Sequence, residues 1–171
     1  MNAYLVLGPE SSGTRMMTQL LMAAGCVGDG DHEQRWDDAL PTVETPIVWR
    51  RSLPHGGEWP SIDLMTHRLR ERGYTVCAVV MTRDWTAVAR SQMEHWGHTR
   101  ETALSNIRTA YPYIFSSLLK FQVPYVMVSY ESLVQHGPQS LGDLLGSIGI
   151  SPPAEFELHD ATTRRLQEVT A

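Results

Sequence analysis

The sequence predicts an α/β fold: three layers, with a mostly parallel central sheet of four or five strands covered by helices on both faces. Three observations predict it. Short apolar runs without polar alternation recur at 3–7, 46–49, 75–82 and 125–129, as strands buried on both faces require. Segments with apolar residues at helical spacing lie between them, the alternation that builds parallel sheets. The chain has 171 residues and is 42% hydrophobic. That suffices for one buried core and is too short for two full-sized domains. No repeat, low-complexity segment or linker interrupts it, so 1–171 is expected to form a single domain.

The elements follow in order. The AYLVL run at 3–7 reads as a first strand, and Gly8-Pro-Glu-Ser-Ser-Gly13 as the turn after it. Met16, Met17, Leu20, Leu21 and Ala24 then recur at helical spacing until Gly25 stops the helix. The acid-rich stretch 28–45 reads mostly as a solvated loop with one helical turn near Trp36. It lacks the ligand spacing of a calcium-binding helix-loop-helix. A second strand at 46–49 is expected to end in Arg50-Arg51, followed by a loop carrying His55-Gly-Gly. Ser61 caps the next helix, which runs through Arg72 to Gly73. The TVCAVVMT run at 75–82 is the clearest buried strand. After Arg83-Asp84 one helix is expected to Trp96, and a second from Thr99 to Phe121, kinked at Pro112. A fourth strand at 125–129 precedes closing helices at 141–148 and 155–168.

Composition bounds the function. A net charge of −5 argues against a general nucleic-acid surface, which favours a basic face. Cys26 and Cys77, the two cysteines, make neither a disulfide framework nor a zinc ligand set, so a reducing cytoplasm is the expectation. The apolar run at 3–7 is too short for a signal peptide and no stretch is long enough to span a membrane. His95 and His98, with Glu94 nearby, offer no third ligand, and no metal is expected.

The turn at 8–13 carries the first chemistry. A glycine-bounded loop between strand and helix aims backbone N–H groups and the helix dipole at one point, an anion site. Its glycine spacing matches the Walker loop, G-x-x-x-x-G-K-[ST], of P-loop nucleoside triphosphate hydrolases. Here Thr14 stands at the lysine position and Arg15 at the Ser/Thr position, and Lys120 is the only lysine in the chain. Triphosphate hydrolysis is therefore disfavoured, and anion binding is not.

With Ser12-Gly13-Thr14 in this loop, the chain resembles the sulfotransferases that use 3′-phosphoadenosine 5′-phosphosulfate (PAPS). Two further segments carry the resemblance. Thr82-Arg83-Asp84 with Ser91 is similar to the family's 3′-phosphate motif, an Arg at a strand end and a Ser in the next helix. Ser129-Tyr130-Glu131-Ser132-Leu133 is similar to its Tyr-Glu-Asp-Leu segment, with Ser132 in place of Asp. The motifs occur in family order across residues 5–133. The resemblance implies a P-loop-type fold and a phosphosulfate held by Ser11, Ser12, Gly13, Thr14 and Arg15. It also implies a 3′-phosphate read by Arg83 and Ser91, an adenine near Tyr130, and adenosine 3′,5′-bisphosphate as product. One departure matters: the family's basic residue before Ser-Gly-Thr aligns with Ser11. Arg15, Arg50 and Arg51 are the cations on offer as replacements. Arg15 lies in the first helical turn, where it can face the anion or turn away.

Sulfuryl transfer needs a base for the acceptor's proton and cations for the departing phosphate. His55 is the candidate base, because its loop follows Arg50-Arg51 at the expected carboxyl edge of the sheet. Glu10 ranks below it, since a carboxylate beside a bound sulfate is repelled. Trp49 is a candidate stacking surface. The expected activity is transfer from PAPS to a hydroxyl or amine of a small-molecule or glycan acceptor, with no nucleic acid or membrane as partner. The alternatives are a small-molecule or nucleotide kinase of the P-loop class and a non-catalytic binder of 3′-phosphoadenosine nucleotides, the latter favoured by Ser11.

Overall fold

The computed structural model describes residues 1–33, 36, 39–42, 44–151, 153 and 156. Its elements are β1 (Asn2–Pro9), α1 (Thr14–Ala23), β2 (Ile47–Leu53), α2 (Ile62–Glu71), β3 (Thr75–Thr82), α3 (Trp85–Trp96), α4 (Arg100–Lys120), β4 (Tyr125–Ser129) and α5 (Tyr130–Ser147). The four strands form one sheet in the order β2-β1-β3-β4, and every neighbouring pair is parallel. The protein is an α/β structure with helices on both faces of an all-parallel sheet.

Strand alternation sorts the core into two layers. Leu5, Leu7, Trp49 and Leu53 turn to one face, where Met65 and Leu69 of α2 and Ile114 and Leu118 of α4 cover them. Tyr4, Val6 and Val48 turn to the other, under Leu20 and Leu21 of α1 and Leu141 and Leu145 of α5. Each fully buried Leu, Ile or Val contributes roughly 1.5–3 kcal/mol by leaving water. The central strand β1 is buried on both faces because it lies between β2 and β3.

The strand order positions the site. From β1 the chain crosses through α1 to β2 on one flank. From β2 it crosses through α2, on the opposite face, to β3 on the other flank. The segments leaving the carboxyl ends of β1 and β3 thus part toward opposite faces and open a crevice between them. Open parallel sheets bind ligands at such a reversal.

Several expectations are corrected. Arg50 and Arg51 lie inside β2, which runs on to Leu53, and both are buried. A closing helix was expected from 141, but α5 begins at Tyr130 and carries a non-helical Gly137 (φ 57°, ψ −142°) inside it. The side chain of Ser129 accepts the Ser132 N–H and starts it, a cap that the polar run concealed. β4 is not buried on both faces: it is an edge strand, and Tyr125 and Met127 are exposed. As expected, a single helix, α4, runs through Pro112 as far as Lys120. The helix expected at 155–168 lies, apart from Phe156, outside the described residues. Among the described residues no helix is long and apolar enough to cross a membrane.

Candidate functional site

The loop after β1 is held by backbone geometry. The Ser12 N–H donates to the Pro9 carbonyl at 3.0 Å, closing a tight turn. Ser11 (φ 70°) and Gly13 (φ 97°) both take left-handed backbone, which glycine tolerates and serine does at a cost. A Cβ on Gly8 would lie 2.4 Å from the Ser12 Oγ and 3.0 Å from the Met81 carbonyl, so only glycine lets the turn fold back on β3. Ser12 is fully buried beneath the loop, and among the described residues its Oγ has no hydrogen-bond partner. Its side chain does not line the crevice.

Gly13 caps α1 without any side-chain hydrogen bond, whereas Ser61, Asp84, Thr99 and Ser129 cap α2 to α5 through their side chains. The first N–H groups of a helix have no intrahelical acceptor. Those of α1 open at the mouth of a cleft of about 500 Å³. A volume of this size suits a nucleotide-sized ligand.

The cleft collects most of the residues singled out from the sequence. Ser11, Gly13, Thr14, Arg15, Arg50, His55, Arg83, Ser91 and Tyr130 all line it, brought there from β1, β2, β3, α3 and α5. Arg83, at the end of β3, donates through Nη1 to the Ser11 carbonyl at 3.0 Å. Its guanidinium lies 4.2 Å from the centroid of the Tyr130 ring. Tyr130 in turn closes on Gly13: a Cβ there would meet the tyrosine Cδ2 at 2.5 Å. Ser91 is buried in the wall formed by α3. The neighbouring Gln92 donates to the Glu10 carbonyl at 2.9 Å and ties α3 to the loop.

The three replacement cations separate. Arg15 pairs with Asp31 on the exposed side of the cleft. Arg50 is buried, with its Nη2 donating to the Asp31 carbonyl at 3.2 Å and its Nε 3.6 Å from Glu33 Oε1. Burial pushes the Arg50 guanidinium below its ordinary pKa, and Glu33 acts the other way. Arg51 leaves the group: alternation along β2 sends it to the opposite face, where it lines a second cleft.

Glu33, read from the sequence as part of a solvated loop, proves to be structural. Glu33 is buried, accepting the Ser52 N–H at 2.9 Å and the Ser52 hydroxyl at 2.6 Å. The Ser52 Oγ also lies 3.1 Å from the Thr14 Oγ1. Trp36 pins the same loop to β2 by donating its Nε1–H to the Val48 carbonyl. Nothing in the sequence marks Glu33, because its partners Arg50, Ser52 and His55 are 17 to 22 residues away and its neighbours are polar.

His55 sits where β2 runs into its loop, with Nδ1 3.5 Å from Glu10 Oε1 and 3.4 Å from Glu33 Oε2. Both carboxylates face Nδ1, so they can orient the imidazole ring through that atom. Glu10 is buried and also accepts the Gly56 N–H at 2.9 Å. Burial pushes its carboxyl up, with the Gly56 N–H and His55 opposing. Glu10 therefore braces the histidine from inside the loop. Among the described residues no group of three or more His, Cys, Asp and Glu side chains is arranged to hold a metal ion. No family model matches the chain, and no curated protein matches it.

Proposed function

We propose that this protein is a sulfotransferase that moves a sulfuryl group from PAPS to a hydroxyl or amine of an acceptor. The observation that supports this reading most is the meeting of the α1 N-terminus, Arg83, Ser91 and Tyr130 around one cleft at the reversal of strand order. Those are the residues of three separated motifs. In this reading the N–H groups of Gly13, Thr14 and Arg15 hold the 5′-phosphosulfate, and Arg83 and Ser91 hold the 3′-phosphate. Bound PAPS supplies an activated sulfuryl group. His55 takes the acceptor's proton at Nε2, the acceptor oxygen or nitrogen bonds to sulfur, and the bond from sulfur to the phosphate oxygen breaks. Adenosine 3′,5′-bisphosphate leaves, with Arg50 as the buried cation beside it.

Calorimetric titration tests the binding half of the proposal. Adenosine 3′,5′-bisphosphate should bind more tightly than AMP or ATP, and equal affinities would remove the reading. A second reading, a binder of the same nucleotides that transfers nothing, is favoured by the engagement of Arg15 with Asp31 and of Arg50 with Glu33. Tight binding without turnover on any hydroxyl or amine acceptor would select it.

A further inference from the structure

Helix α3 walls the nucleotide-sized cleft. Ser91 is buried in this wall, whereas Trp96, about 7.5 Å further along the helix, is 53% exposed and lines the same cleft. Gly97 (φ 66°) ends the helix there. Among the described residues the Trp96 indole stacks on no other ring, lies under no cation and joins none of the buried apolar clusters. A large apolar ring left open at the mouth of a cleft, with a polar N–H at one edge, is a contact surface without its contact. The end of α3 stands on the His55 side of the cleft. Gln92 donates to the Glu10 carbonyl, and Glu10 Oε1 lies 3.5 Å from the His55 Nδ1. His98, just past the helix, is among the charges that oppose the effect of burial on the Glu10 carboxyl. The other apolar residues of the cleft, Met16, Tyr130 and Phe156, pack with the core layer under α1 and α5. What remains open to a ligand beside Trp96 is polar. Arg15, Gln19 and Asp31 line the cleft with exposed side chains, and the single contact between Arg15 and Asp31 leaves most of their donors and acceptors unused.

We infer that Trp96 is the platform on which a saccharide acceptor stacks. A pyranose ring has a face of C–H groups, which packs on an indole, and a rim of hydroxyls, each both donor and acceptor. Arg15, Gln19 and Asp31 offer that rim a guanidinium, an amide and a carboxylate. A simple phenol gains little from such partners and calls instead for an enclosed apolar pocket. In the transferase reading, the sugar hydroxyl that enters the cleft deepest is the one that His55 deprotonates. That acceptor role rests on the transferase reading, whereas saccharide binding at Trp96 does not.

The probes are an array of neutral oligosaccharides and, as the competing class, 4-methylphenol. The tightest array ligand and the phenol are each titrated while the Trp96 indole N–H resonance is followed by NMR, assigned by its absence in Trp96→Phe. At least one oligosaccharide should bind and shift that resonance. Trp96→Ala should weaken it about tenfold, the scale of one stacked aromatic contact, and Trp96→Phe should retain part of the affinity. Trp85→Ala, which removes an exposed tryptophan outside the cleft, should leave it unchanged. Trp96 is exposed, so its variants should fold. Binding of no oligosaccharide, an unmoved Trp96 resonance, undiminished affinity in Trp96→Ala, an equal loss in Trp85→Ala, or tighter binding of 4-methylphenol would overturn the inference. Adenosine 3′,5′-bisphosphate is titrated separately. Its failure to bind, with Trp96-dependent saccharide binding intact, would remove the transferase reading and leave the saccharide site standing. Its binding, with the saccharide result negative, would do the reverse.

Discussion

Replacing Arg83 tests the loop and the ligand together. Its Nη1 donates to the Ser11 carbonyl at 3.0 Å, and its guanidinium lies 4.2 Å from the Tyr130 ring centroid. A hydrogen bond from a charged donor contributes ~1.5–3 kcal/mol, and a cation–π contact ~0.5–2 kcal/mol. Arg83 is only partly buried and water can replace it at the carbonyl, so the lower ends apply. Arg83→Ala should then cost about 2 kcal/mol, which for a chain of this size lowers Tm by about 4–8 °C. Differential scanning calorimetry reads this directly, and Arg83→Lys should recover part of it by keeping the charge. Because Arg83 braces Ser11, AMP should bind the alanine variant somewhat more weakly than wild type. Adenosine 3′,5′-bisphosphate should lose a further tenfold or more, the ~1.5–3 kcal/mol of its 3′-phosphate contact. An unchanged Tm would refute the bracing, and equal losses for both ligands would refute the 3′-phosphate role.

Further outcomes follow from other contacts. His55→Ala should reduce sulfuryl transfer by about 10²–10⁴-fold, the usual contribution of a positioned base, with adenosine 3′,5′-bisphosphate affinity nearly unchanged in the same titration. Gly13→Ala should destabilise by at least ~1 kcal/mol from the left-handed backbone alone, and by more because the new Cβ meets Tyr130 at 2.5 Å; denaturant melts give the difference. Glu10 has a raised pKa, so its contribution to stability is fully present below the unfolded value of about 4.3 and is lost as pH rises through the folded one. Glu10→Gln carries no such titration, and its stability relative to wild type should climb as pH rises above that value. A flat difference from pH 4 to 8 would show that His55 and Gly56 fully offset the burial.

The sheet was legible because its strands are apolar without alternation, and three of the four are buried as that pattern requires. β4 misled because an edge strand exposes one set of side chains, and Tyr125 and Met127 look the same in sequence whether a neighbour covers them or not. The bounds of β2 were short because two arginines read as the end of a strand. Their burial becomes possible only through long-range partners such as Glu33, which periodicity does not encode. The glycine loop and Arg83 were legible through spacing and position at strand ends. The carboxylate frame around His55 was not. Glu10, Glu33 and His55 meet only when Glu33 and Trp36 come against β2, an arrangement carried by the contacts of Trp36 and Ser52.

Position 11 draws these threads to one measurement. Its backbone is left-handed (φ 70°), a conformation that costs an L-residue roughly 1–2 kcal/mol and glycine almost nothing. Ser11→Gly should therefore stabilise the protein by up to about 1 kcal/mol, after the larger unfolded-state entropy of glycine is subtracted. The cation that stands beside this position is neither Arg15, which pairs with Asp31, nor Arg50, which lies against Glu33. It is Arg83, reaching across from β3 to the Ser11 carbonyl. A lysine at 11 would place a second positive charge within a few ångströms of the first. Ser11→Lys should accordingly lower Tm at low ionic strength and recover toward wild type as salt shortens the screening length to about 10 Å at 0.1 M. A bound anion should narrow the same gap, because it neutralises both charges at once. If Ser11→Lys instead raised Tm without ligand, or responded to neither salt nor adenosine 3′,5′-bisphosphate, Arg83 would not be the cation that serves this loop.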